Sequence, residues 1–387
     1  MFAEHHYTVL RGTVHVQFIT GLFLEHQVIV SKSIHSNSRF GKFFGATNEH
    51  HRYPWVDYAK GIAIVLVVYR HMLDGYIGVG LDVPVYLTMI QVSVYNFRMP
   101  LFFILSGVFV RKSMAKRTFK AFTVYKLNTI LYPYLVWVTI QLTLQVGMSG
   151  YTGGNRDVSY YQYILYDPWQ LYQFWFLYTI FNIAILFALL QTYVRIKPVG
   201  QVAIGIFFYY LSGLEALQGI NLLQDTLEYY IYFALGSACT NVLLDAKNRA
   251  FFSSYKLLWA YLPIFLVSQW YWIQHKDTGL EGTPQFALIA VIGCAFVFIV
   301  SFVLSNAQAA SFLRVVGRHS MYIYIMHVMS IVMVRVVLMN FLGITHLAVL
   351  LSISLLVGVL FPIVAYRLSL RLGLWFLYNF RKPRLAV

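Results

Sequence analysis

The stretch DYAKGIAIVLVVYRHMLDG, Asp57 to Gly75, sets ionisable groups into an apolar run, with Lys60 near its start and Arg70, His71 and Asp74 further on. A charged side chain at the centre of a bilayer costs about 3 kcal/mol even on the gentlest insertion scale, so such residues mark function unless they are paired. On an α-helix each residue turns by ~100° and rises by ~1.5 Å, so the step from Lys60 to His71 is about three turns and ~16 Å. The two side chains share a face. Asp57 and Asp74 fall within about 60° of Lys60, and Arg70 flanks the arc. The polar residues thus form one stripe, which should face a polar cavity or a partner helix rather than lipid. His71 lies about halfway across a span that begins at Lys60, where a neutral imidazole is tolerated and can take a proton from a hydroxyl.

Two further clusters carry chemistry. In NFRMPLFFILSGVFVRKS (96–113), Arg98 stands beside Pro100. Proline frees a backbone carbonyl in a helix, so Arg98 has two readings, a bond to that carbonyl or a site for an anionic ligand. Ser106 and Gly107 permit close helix packing or the approach of a substrate. Arg111 and Lys112 close the run and belong to a basic loop. In GRHSMYIYIMHVMS (317–330), Ser320 and His327 share a face and Tyr324 precedes His327 by one turn; taken alone, a hydrogen-bonded core histidine is the plainer reading.

The elements that must position these residues are helices in a membrane. The 387-residue chain is 59% hydrophobic and 11% charged, with a mean hydropathy of +0.65, far more apolar than a soluble domain. Runs able to span a ~30 Å hydrocarbon core lie near 56–75, 85–110, 121–146, 172–194, 198–213, 227–244, 254–274, 285–305, 320–341 and 346–377. The fold expected is all-α and polytopic, with about ten transmembrane helices. The net charge of +15 falls in short clusters between the apolar runs, which is how topology signals look and argues against nucleic-acid binding. Basic loops at 111–120, 195–197, 245–249 and 314–319 and the tail 381–384 alternate with loops whose Lys and Arg are Arg156 and Lys276. That alternation places both termini in the cytoplasm. Three parts result: a cytoplasmic, interfacial extension over 1–52 that does not read as a cleaved signal peptide, a membrane domain over 53–380, and a basic tail over 381–387. Cys239 and Cys294 sit in apolar segments without metal-ligand spacing, so no metal is expected.

At these residues the sequence resembles the acyltransferase family 3 membrane enzymes, particularly the branch likened to fucose 4-O-acetylases. The family's first-helix signature, an arginine, ten residues and a histidine, reads here as Lys60, ten residues and His71, and DYAKGIAIVLVV resembles the Asp-x-Ala-Lys-Gly form of the acetylase branch; FRMPLFFILSG resembles the family's Phe-His-Met-Pro-Leu-Phe-Phe motif. FWFLYTIF (174–181) is similar to its Trp-Phe-Leu segment, and GRHSMYIYIMH to the C-terminal Ser and Tyr-x-x-x-His segment. Two departures add positive charge: Arg70 replaces a glycine and Arg98 the histidine of Phe-His-Met-Pro.

The resemblance implies an O-acyltransferase of the bacterial inner membrane that moves an acyl group, most commonly acetyl from acetyl-CoA, to a hydroxyl of a cell-surface or exported carbohydrate. Lys60, Arg111 and Lys112 then serve the coenzyme A donor. His71 acts as base, with Arg98 or Arg70 at the oxyanion. Asp74, Ser106, Trp175, Tyr324, His327 and Glu228 contact substrate. Trp169, Tyr160 and Tyr161 are further candidates for a sugar ring. Two alternatives remain at this stage: a transporter or flippase of lipid-linked saccharides, and succinyl in place of acetyl, whose free carboxylate would suit the added arginines.

Overall fold

A computed structural model describes residues 53–147, 156–217 and 219–380. The expectations for 1–52 and for the tail 381–387 fall outside the described residues. The longer helices are α1 (Pro54–Ile77), α2 (Val85–Ser93), α3 (Tyr95–Met114), α4 (Phe119–Lys126), α5 (Tyr132–Gly147), α6 (Trp175–Thr192) and α7 (Pro198–Ser212). They continue with α8 (Asn221–Ala238), α9 (Tyr255–His275), α10 (Pro284–Ala307), α11 (Ser311–Arg318), α12 (Ser320–Val336) and α13 (Leu347–Arg371). The described residues contain no strand, as the unbroken apolar runs imply: in hydrocarbon a helix satisfies its own backbone.

Six helical stretches among the described residues are long and apolar enough to cross a membrane: Val85–Met114, Phe119–Gly147, Pro168–Thr192, Pro284–Ala307, Ser320–Phe341 and Leu347–Arg371. A seventh is reached if Ala246–Phe252 and α9, bent by 63° at a short break, count as one span. This is a helical membrane protein. The sequence expectation of about ten spans exceeds this set because it includes α1, α7 and α8. α7 has only 15 residues, while α1 carries Asp57, Lys60, Arg70 and Asp74, and α8 carries Asp225 and Glu228.

α1 is the hub of the bundle, packing on α2, α3, α10, α11, α12 and α13. Most of its length is buried; of its charges Asp57 is enclosed by protein, whereas Asp74 is exposed. Two close approaches fix it. A Cβ on Gly61 would stand 2.1 Å from the Leu313 carbonyl oxygen, and one on Gly317 only 1.7 Å from that of Asp57. Backbones of α1 and α11 therefore touch, the packing that glycine allows in membrane helices, and Arg318 Nε reaches Asp57 Oδ2 at 3.3 Å. Gly107 likewise lets α3 lie on α8, where a Cβ would meet the Phe233 carbonyl oxygen at 2.0 Å.

Candidate active site

One end of α1 opens on a cavity of about 650 Å³, within the range of small-molecule sites. Val67, Arg70, His71, Asp74, Gly75 and Gly78 line it, a helical i, i+3, i+4, i+7 face. The expected stripe therefore divides. Its later half faces the cavity, whereas Asp57 is 7% exposed and paired with Arg318. α3 contributes Arg98 and Met99, α6 contributes Trp175, and α12 contributes Tyr324, Val328 and Arg335. The connection from 156 to 174 closes one side with Arg156, Trp169 and Tyr172, and Gln145 adds the end of α5.

His71 is half-buried and its ring lies 5.1 Å from that of His327, centroid to centroid. His327 is fully buried behind it. Its Nδ1 is 2.8 Å from the Tyr324 carbonyl oxygen and 3.1 Å from that of Ile323. Carbonyls only accept, so Nδ1 carries the proton and the neutral ring presents a lone pair at Nε2. That Nε2 is buried with no hydrogen-bond partner. Tyr324 is fixed in turn by donating its hydroxyl to the Gln173 carbonyl.

Arg98 is 2% exposed and its Nη1 is buried without a hydrogen-bond partner. Pro100, inside α3, removes the N–H that would bond the Asn96 carbonyl, yet Arg98 does not turn back to cap it; the residue lines the cavity instead. Arg70 is held differently, its Nε donating to Asp74 Oδ2 at 3.0 Å. Tyr95 stands between the two cations, its ring centroid 5.8 Å from each guanidinium carbon.

The aromatic side of the cavity is built by Trp169 and Trp175, stacked at 4.9 Å with planes 9° apart. The Trp169 indole N–H donates to Asp225 Oδ2 at 2.6 Å, and Asn221 Nδ2 donates to Asp167 Oδ1 at 3.0 Å, tying the 167–169 corner to α8. Tyr172 adopts φ 58°, ψ −121°, a conformation a tyrosine rarely takes, and so turns the chain over the rim.

Of the residues singled out in the sequence, Arg70, His71, Asp74, Arg98, Trp175 and Tyr324 share this cavity and His327 backs it. Ser106 and Glu228 are not among its lining residues; Glu228 has Glu281 as an electrostatic neighbour. Lys60, Arg111 and Lys112 belong to the other end of α1 and α3, where Lys112 Nζ donates to the Tyr53 hydroxyl at 2.8 Å. Lys126 lies there too, within electrostatic reach of Lys60 and Arg117. Sequence reasoning passed over Arg335, although an arginine within an apolar run carries the same signal as Arg70. It also gave no site role to Arg156, Tyr172 or Gln145. Among the described residues no group of three or more His, Cys, Asp or Glu side chains is placed to hold a metal ion.

The match to known proteins agrees with these motifs. The family model described as an acyltransferase domain (acyltransferase family 3) covers residues 53–366. The chain belongs to this acyltransferase family. Its membrane helices and arginine-lined cavity are thus those of an acyltransferase 3 protein. A segment of 89 residues is 35% identical to the nodulation protein NolL of Mesorhizobium japonicum, a match that covers 23% of this chain and 24% of that protein. No solved structure matches.

Proposed function

We propose that this acyltransferase moves an acetyl group from acetyl-CoA to a hydroxyl of a cell-surface or exported carbohydrate, within the inner membrane of a bacterium. The observation that carries the reading is His71 facing a cavity beside His327, with the Arg98 guanidinium unpartnered in the same wall. His71 takes the proton of the attacking hydroxyl, and the resulting alkoxide adds to the thioester carbonyl. Negative charge then develops on the carbonyl oxygen, where Arg98 donates. Collapse of the tetrahedral intermediate expels the coenzyme A thiolate, which takes up the proton that His71 holds. The Nε2 lone pair of His327, unpartnered in this structure, takes the N–H of His71 as the proton arrives and steadies the imidazolium while it exists, the service a carboxylate gives in hydrolase triads.

The donor enters by the opposite end of α1. There Lys60, Lys112, Arg111 and Lys126 form a basic neighbourhood suited to the phosphates of coenzyme A, ~16 Å of helix away from His71. Its thin pantetheine arm, rather than its nucleotide, crosses that depth. In this topology α1, α7, α8 and α9 also cross, both termini are cytoplasmic, and the acceptor reaches the cavity from the outer side. The Trp169–Trp175 stack offers the flat apolar surface that a sugar ring favours, and the fucose 4-O-acetylase-like motifs favour a saccharide over another acceptor.

The test is transfer of label from radiolabelled acetyl-CoA to envelope carbohydrate in membranes carrying wild-type protein or His71→Ala at matched expression. Label in the wild type and its loss in His71→Ala is the expected outcome; label that survives the substitution would remove His71 from the chemistry.

A further inference from the structure

We infer that the acceptor carries an acidic group, a carboxylate or a phosphate, held at the cavity mouth by Arg156 and Arg335; the word acceptor rests on the acyl-transfer reading above. Four arginines line the cavity against one carboxylate among the described lining residues, Asp74, and that carboxylate is already bonded to Arg70. A neutral hydroxyl and a neutral acetyl group need one cation at the oxyanion, and Arg98 supplies it. Nothing in that chemistry accounts for the outer pair.

Among the described residues, both outer guanidiniums are held in place without a carboxylate. Arg335 Nη1 donates to the Gly75 carbonyl, one turn of α1, or ~6 Å, beyond His71. The Arg156 guanidinium lies 4.5 Å from the ring centres of both Tyr160 and Tyr172 and donates through Nη1 to the Gln170 carbonyl at 2.6 Å. A guanidinium has five N–H donors. Two aromatic faces and a carbonyl fix the Arg156 fork and a carbonyl anchors that of Arg335, which leaves donors on both for a ligand, and a fork so fixed matches the paired oxygens of a carboxylate or phosphate. Their neighbours Trp169, Tyr172 and Asp74 are exposed where His71 and Arg98 are not, so the pair marks the rim and not the floor. Arg156 also stands in a loop nearly empty of basic residues, so the topology bias does not explain it. A ligand that places its anion on this pair sets a neighbouring hydroxyl one turn deeper, at His71.

The experiment is a calorimetric titration of the full-length protein in lipid nanodiscs with matched probes: a glucuronate-containing disaccharide against its neutral glucose counterpart, and glucose 1-phosphate against glucose. At low salt the acidic member of at least one pair should bind about tenfold tighter or better, as charge-assisted bonds of ~1.5–3 kcal/mol imply. The pair that discriminates identifies the acid. Arg156→Gln and Arg335→Gln should reduce that ratio to about twofold, and Arg335→Lys should retain part of it, which separates loss of recognition from loss of fold. Equal or undetectable binding of acidic and neutral probes, or a ratio unchanged in both glutamine variants, would overturn the inference. So would glutamine variants that alter only the choice between succinyl-CoA and acetyl-CoA, for the acid would then belong to the acyl chain. The titration needs neither donor nor turnover. Acidic preference without label transfer leaves this site standing and removes the acyl-transfer reading; label transfer without acidic preference does the reverse.

Discussion

His327 turns its protonated nitrogen into its own helix and leaves its Nε2 without a hydrogen-bond partner, with the His71 ring of α1 5.1 Å from its own. The contact joins two segments some 250 residues apart, and in the proposed reaction it offers His71 an acceptor that carries no charge of its own, the cheaper choice in a low-dielectric interior. If the role is orientation, His327→Ala lowers kcat about tenfold or more with little change in KM, and His327→Gln, which keeps an acceptor near the Nε2 position, recovers part of the loss. His71→Ala removes the base itself and costs about 10²–10⁴. Steady-state kinetics on the three variants checks the order; equal kcat in His327→Ala and wild type would make the second histidine a packing residue.

Arg98 is the costly member of the site, an arginine 2% exposed with a buried unpartnered nitrogen. Removing an uncompensated buried charge relieves desolvation. Arg98→Met should therefore raise the thermal unfolding midpoint in detergent while lowering kcat by about 10²–10³, the scale of a lost oxyanion donor. A variant both less active and less stable would mean that Arg98 holds the fold together and that its charge is satisfied within the protein.

The part of this site on α1 and α3 was readable in the sequence because helical periodicity converts spacing into direction. Four polar positions between 57 and 74 fall on one arc of α1, and the structure opens a cavity along its later half. Periodicity gives a face but not the neighbour opposite it, so Asp57 reads like Asp74 although one pairs with Arg318 and the other meets the cavity. Ser106 and Glu228 show the same gap: each is on the expected helix, and neither lines the cavity. The connection from 156 to 174 has no period at all. Its Arg156 and Tyr172 reach the rim through one positive φ and two side-chain anchors on α8, none of which spacing can foretell. The span count differs for a related reason. Hydropathy describes helices that face lipid, and α1, packed against six neighbouring helices, need not be apolar to stand in the bundle.

The Trp169–Asp225 bond predicts an effect confined to the acceptor. Asp225 lies in α8, 6% exposed, and is not among the residues lining the cavity; it acts by holding the indole that stacks on Trp175. Asp225→Leu should raise the acceptor KM several-fold, since a buried hydrogen bond is worth ~0.5–1.5 kcal/mol net, and leave the donor KM unchanged. Asp225→Asn retains an acceptor oxygen and should fall between. Matched donor and acceptor titrations check this; a change in the donor KM of the same size would point to general disruption of α8.

The contact of α1 with α11 predicts where the bundle tolerates least. At Gly317 an added Cβ would stand 1.7 Å from the Asp57 carbonyl oxygen and 2.8 Å from the Gly61 amide nitrogen, both backbone atoms that no rotamer change can move aside. Gly317→Ala must push α11 away from α1, carrying Arg318 off Asp57. Overpacking of this kind costs about 1–3 kcal/mol, to which the strained ion pair adds. The unfolding midpoint should fall clearly for Gly317→Ala, whereas Gly147→Ala, at the exposed end of α5 with nothing within 4 Å of the new carbon, should leave it unchanged. Because α1 carries His71 on the same rigid rod, the surviving folded fraction of Gly317→Ala should also show a lower kcat, measurable as activity per folded molecule. Unaltered stability in Gly317→Ala would mean that the two helices are not in backbone contact.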